Sequence, residues 1–172
     1  MLEFFPGTPG GRVAREGVGP VLRVNTEPAG PYERSLAAVD LSEHSGYALQ
    51  TARTLGVLSR SQVVVVYAFQ ALAKGKLGYA GVAPDVIAKH VEQTASDSRS
   101  ELKDFLARIG GNLEQFAIRV KEVLPVPGIS EVANPVQAGI VVMGAHGRSE
   151  TPKLFRRDVP DESIRSWDRD IL

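Results

Sequence analysis

Cysteine is absent from the chain, which removes structural disulfides, thiolate metal sites and cysteine nucleophiles together. Aromatic residues make up only 6% and are scattered, so no stacking platform for single-stranded nucleic acid is in view. An excess of either charge is lacking too: 20 lysines and arginines balance 20 aspartates and glutamates, with no long block of one sign. That balance argues against a general nucleic-acid or anionic-membrane surface. No apolar run approaches the roughly 20 residues that cross a bilayer. The opening Met1-Leu2-Glu3-Phe4-Phe5-Pro6-Gly7 has no basic region followed by an apolar core. The expectation is a soluble, cytoplasmic protein with neither nucleic acid nor membrane as a partner.

What the chain does have is a change of texture near residue 33. Residues 1–33 hold five of the eleven prolines and six of the seventeen glycines. Within them only Val21-Leu22-Arg23-Val24, between Pro20 and Asn25, reads as a strand-like island. We read 1–33 as an extended arm whose segment 20–25 is either a substitute edge strand, on the same chain or a partner, or the remnant of a preceding repeat, and 34–172 as one domain. A chain of 172 residues can bury roughly 70% of its unfolded surface and needs no staple.

From Arg34 onward apolar runs alternate with helical patterns, the signature of a parallel sheet with crossover helices. Ser35–Val39 is the first strand, and Ser42 stands where a helix cap belongs. Ala48, Ala52 and Leu55 then give that helix a narrow face of small residues. Gln62–Phe69 contains four consecutive valines, the mark of a strand covered on both sides. After a loop with Gly75, Gly78 and Gly81, Pro84-Asp85 opens a long helix. Its apolar positions run from Ile87 to Ile109, and Gly110-Gly111 stops it. Phe116–Val123 alternates in part and suits a strand nearer the sheet edge. Pro125, Pro127 and Pro135 crowd the next crossover, leaving about Ile129–Ala133 as helix before the apolar Ile140-Val141-Val142-Met143. Asp161–Trp167 suits a short helix, and a last strand begins only at Ile171-Leu172.

Two strands thus end in polar loops. Ser35–Val39 ends at Asp40, and Ile140–Met143 ends in Gly144-Ala145-His146-Gly147-Arg148-Ser149. In an open parallel sheet the ligand crevice lies outside the carboxyl ends of the strands, so Asp40 and the Gly144 loop share a rim. Asp40 either contacts a ligand there or hydrogen-bonds the next turn. Gly144 and Gly147 either admit a ligand to the backbone or turn the chain sharply. His146 lacks an orienting partner at fixed spacing, which a general base requires, so no catalytic residue is assigned. No metal-ligand spacing appears. The phosphate loop ending in Gly-Lys-Ser/Thr and the Gly-x-Gly-x-x-Gly fingerprint are both missing.

Leu36-Ala37-Ala38-Val39-Asp40-Leu41-Ser42-Glu43-His44-Ser45 resembles the opening strand and loop of the universal stress proteins, and Met143-Gly144-Ala145-His146-Gly147-Arg148-Ser149 resembles their nucleotide loop. The resemblance covers about residues 32–172. It implies a three-layer, flavodoxin-like open parallel α/β sheet of about five strands, the last truncated or replaced. It also implies a homodimer or higher homo-oligomer joined through that last strand, and ATP with magnesium as ligand. The nucleotide-contact set it implies is Ala38, Asp40, Val66, Met143, Gly144, His146, Gly147, Arg157, Asp158 and Val159.

The family pattern runs glycine, two residues, glycine, nine residues, then glycine and serine or threonine. Gly144 and Gly147 match its first half, but Arg157-Asp158 stands where glycine and serine are expected. Arginine's bulk keeps the backbone from phosphate oxygens, and the negative charge of Asp158 repels them at close range. Arg156 and Arg157 either pair with phosphates or are solvated surface residues. The resemblance therefore implies a regulatory, nucleotide-responsive stress-response module. The alternative is a degenerate scaffold acting through dimerisation and protein contacts. Slow ATP hydrolysis is a third reading, without an identifiable base.

Overall fold

The structure, a computed structural model, describes residues 19–25, 27, 30–69, 77–110, 113–123, 125–144 and 168–172. Five parallel strands build the sheet: β1 (Arg34–Val39), β2 (Gln62–Phe69), β3 (Phe116–Glu122), β4 (Ile140–Met143) and β5 (Asp170–Ile171). Their order is β3-β2-β1-β4-β5. Among the described residues three α-helices lie between them: α1 (Glu43–Thr54), α2 (Pro84–Arg108) and α3 (Pro125–Ala133). The expected short helix at 161–167 lies outside the described residues.

Alternation along each strand divides the apolar side chains between two faces. Ala37, Val39, Val63, Val65 and Val142 pack with Leu49 and Ala52 of α1 and with Leu102, Phe105 and Leu106 of α2. Leu36, Val64, Val66 and Val141 pack with Ile129, Val132 and Ala133 of α3 on the other side. The four valines of β2 therefore serve both layers in turn, which is why they show no polar alternation. Full burial of such a side chain stabilises the fold by about 1.5–3 kcal/mol.

Local chemistry sets the helix ends. Ser42 accepts the Ser45 amide at 3.2 Å and caps α1. Pro84 falls in the first turn of α2, and Gly110 at φ 72 takes the left-handed conformation that ends it. Of the long apolar run of α2, Ser98, Leu102, Phe105 and Leu106 are buried, while Ile87 and Val91 are only half-buried.

Two expectations are corrected. Leu55 is not part of the packing face of α1: it is the C-cap and 57% exposed, because the helix stops at Thr54 and Gly56 turns the chain at φ 74. Ser45, Gly46, Leu49 and Ala52 form the buried seam instead. The second correction concerns α3, which starts at Pro125 and spans 9 residues. Pro125 and Pro127 occupy its first turn, where amide groups have no intrahelical acceptor, so their missing N–H groups cost the helix nothing. The crossover is short but complete.

Candidate functional site

The chain moves from β1 outward to β2 and β3 on one side, then returns to lay β4 on the other side of β1. Neighbouring carboxyl ends at β1 and β4 are thus left by connections running in opposite directions. That reversal is the switch point where open α/β sheets form a crevice. Asp40 follows β1 and Gly144 follows β4, and the register pairs Ala38 with Met143 across the two strands. Ala38 also pairs with Val66 of β2, so Val66, Ala38 and Met143 form one row across three strands. Ala38 and Met143 are half-buried, whereas Val66 is 1% exposed and lies in the core beneath α3.

The turn from β1 into α1 is tightly determined. The Asp40 carboxylate accepts the Ser42 amide at 3.1 Å and the Ser42 hydroxyl at 2.5 Å. The Ser42 hydroxyl oxygen in turn accepts the Ser45 amide, and the Ser45 hydroxyl donates to the Ser42 carbonyl at 3.0 Å. The turn-forming role foreseen for Asp40 is present, then, at the rim itself. Between these residues Leu41 sits at φ 63, a left-handed conformation that a leucine rarely adopts. Such an outlier costs on the order of 1–3 kcal/mol and persists only where the surroundings fix it. Here the side chain is 8% exposed and packs in the α1–α2 cluster, which offsets that cost.

Gly144 explains how the two strand ends come together. A Cβ built on it would stand 3.0 Å from the His44 carbonyl carbon, 3.0 Å from the Ser45 nitrogen and 3.2 Å from the His44 oxygen. The end of β4 therefore lies directly on the backbone of the first turn of α1. Its φ is outside the left-handed region, so close approach to a helix, and not a tight turn, demands the glycine. The sequence offered two reasons for this residue; the packing supplies a third.

His146, Gly147, Arg157, Asp158 and Val159 lie outside the described residues. Of the expected set, the structure brings together Ala38, Asp40, Met143 and Gly144 at one rim, with Val66 below them. Leu41 and the His44–Ser45 backbone were not foreseen, and nothing in the residue types signals them. Among the described residues no cluster of three or more histidine, aspartate or glutamate side chains is placed to hold a metal, and no helix is long and apolar enough to cross a membrane. A cleft of about 480 Å³ opens at the opposite end of the sheet, lined by Arg53, Ser59, Gln62 and Gln115 among others. It shares no residue with the rim.

Comparison with known proteins agrees with this architecture. The model of the Universal stress protein family matches residues 31–172. The Universal stress protein MJ0577 of Methanocaldococcus jannaschii is 22% identical over 156 residues, spanning 82% of this chain and 93% of that protein. The solved structure of MJ0577 superposes with a TM-score of 0.62 at 14% identity, covering 83% of this chain and 95% of the other. A universal stress protein solved in complex with cAMP superposes with a TM-score of 0.52 at 21% identity, covering 83% and 96%. A universal stress protein from Pseudomonas aeruginosa gives a TM-score of 0.60 at 18% identity, with 97% of this chain lying on 59% of that longer one.

Proposed function

The chain belongs to the universal stress protein family, and on that footing we propose that it is a regulatory module holding an adenine nucleotide at the β1–β4 rim without rapid turnover. The observation that carries this reading is the meeting of Asp40 and Gly144 at the switch point, on a row of small and apolar residues. In it, Ala38 and Met143 form the apolar floor for the base, Asp40 accepts from the nucleoside, and the backbone at Gly144 marks the side of the phosphates. The relative solved with cAMP supports the ligand class. ATP would bring magnesium with it. No general base is assigned, in keeping with a module that binds and releases.

A second reading, a scaffold that binds no nucleotide, is favoured by one observation: Arg157-Asp158 stands where the family pattern has glycine and serine. Calorimetric titration separates the two. The first reading expects saturable binding of magnesium-ATP or cAMP, weakened at least about tenfold by Asp40→Ala, the equivalent of about 1.4 kcal/mol. Silence at millimolar nucleotide sinks it. Binding gained only by the double variant Arg157→Gly, Asp158→Ser then assigns the loss to the loop and supports the scaffold.

A further inference from the structure

An open sheet has two edges, and here they are protected by different means. At the β3 edge the chain alternates between exposed and half-buried residues and carries Arg119, Lys121 and Glu122, charges that discourage another strand from pairing. The β5 edge has no such guard. Asp170 and Ile171 are 3% and 5% exposed, and the outward main-chain groups of Ile171 are taken by the arm. Arg23 donates its amide to the Ile171 carbonyl at 2.8 Å and accepts the Ile171 amide at 3.0 Å, an antiparallel pair.

One buried carboxylate fastens this arrangement. Asp170 accepts the Asn25 amide on Oδ1 at 2.7 Å and the Tyr32 hydroxyl on Oδ2 at 2.6 Å, so it grips both ends of the segment leading back to β1. The Asn25 side-chain amide donates to the Arg169 carbonyl at 2.8 Å. The Tyr32 ring rests against Gly139, where a Cβ would come within 3.3 Å of it. Apolar burial is partial, since Val21 is half-buried while Leu22 is 46% and Val24 52% exposed. A segment seated by main-chain and polar hydrogen bonds, which water can replace, is one that can leave.

We propose that residues 19–25 are a detachable edge strand: seated beside β5 of their own chain they keep two copies apart, and released they open that edge to a second copy. The partner follows from the pairing geometry. Ile171 already exchanges both main-chain bonds with a single antiparallel residue, and the same residue of a second copy, related by a two-fold axis, presents the same groups in the same direction. The homodimer expected from the resemblance becomes conditional on release of the arm. Nucleotide binding at the rim is not needed for this inference.

The lack of native cysteine makes the seating directly testable. Leu22 and Leu172 stand opposite each other by the Arg23–Ile171 register, so the full chain carrying Leu22→Cys and Leu172→Cys should cross-link within one chain under mild oxidation. A cross-link only between chains, or none at all, overturns the proposal. Sedimentation then reads the consequence. Arg23→Pro removes the amide that donates to Ile171 and leaves every core residue in place; Asn25→Pro removes the amide held by Asp170. Each variant, folded by circular dichroism, should dimerise at least about tenfold more tightly than the natural chain. Unchanged or weaker association in both overturns the proposal.

Discussion

Replacing Gly144 by alanine sets two opposing effects against each other, and the structure says which prevails. Because the φ of Gly144 is not left-handed, alanine is compatible with the backbone, and the loss of unfolded-state freedom alone would stabilise the fold by about 0.4–1 kcal/mol. Against this stands the added methyl, 3.0 Å from two backbone atoms of His44 and Ser45 where carbon contacts settle near 3.5–4.0 Å. Backbone atoms cannot swing aside as a side chain does. The first turn of α1 would have to back away by several tenths of an ångström, while Leu49 and Ala52, at 1% and 0% exposure, hold the helix on the sheet. Overpacking of this kind costs about 1–3 kcal/mol. The net expectation is a loss of about 1–2 kcal/mol, which for a domain of this size lowers Tm by about 2–8 °C. Urea unfolding of Gly144→Ala beside Gly78→Ala, whose added methyl meets nothing within 4 Å, provides the comparison. Equal stability of Gly144→Ala and the natural chain would refute the close approach of β4 to α1, and with it the shape assigned to the rim.

Other consequences are open to measurement. Ser42→Ala removes the cap that accepts the Ser45 amide and the donor to Asp40, and should cost about 0.5–2 kcal/mol in urea unfolding. Burial, with the hydrogen bond to the Asp170 carboxylate and its negative charge, pushes the Tyr32 pKa up to about 12. A group whose folded pKa is raised contributes stability in full below its unfolded value near 10, and that contribution is lost as pH rises through the folded value. The arm should therefore loosen between about pH 10 and 12, seen as delayed ionisation of one of the four tyrosines by ultraviolet absorbance. Asp170→Asn should bring that tyrosine back toward the ordinary value; an unaltered titration would show that Asp170 does not hold it.

Much of the fold was legible in the chain because periodicity and helix punctuation are local signals. The valines of β2, Pro84 at the start of α2 and Gly110 at its end all read correctly for physical reasons visible within a few residues. The start of α3 read poorly because prolines look like breakers unless they are known to lie in a first turn. Half of the rim was also legible: Asp40 and Gly144 stand at strand ends, and strand ends are where an α/β crevice forms. The positive φ of Leu41 was not, since it is imposed by burial against residues more than sixty positions away, such as Phe105. Nor was the Asp170 latch, whose partners Asn25 and Tyr32 lie 145 and 138 residues away in the chain.

An adenine nucleotide seated at the β1–β4 rim should be visible in amide chemical-shift mapping during titration with magnesium-ATP. Saturable shifts should gather at Ala38, at Asp40 through Ser45, and at Met143 and Gly144. Shifts gathered instead around Arg53, Ser59, Gln62 and Gln115, at the far end of the sheet, or no shifts at all in the folded protein, would contradict it.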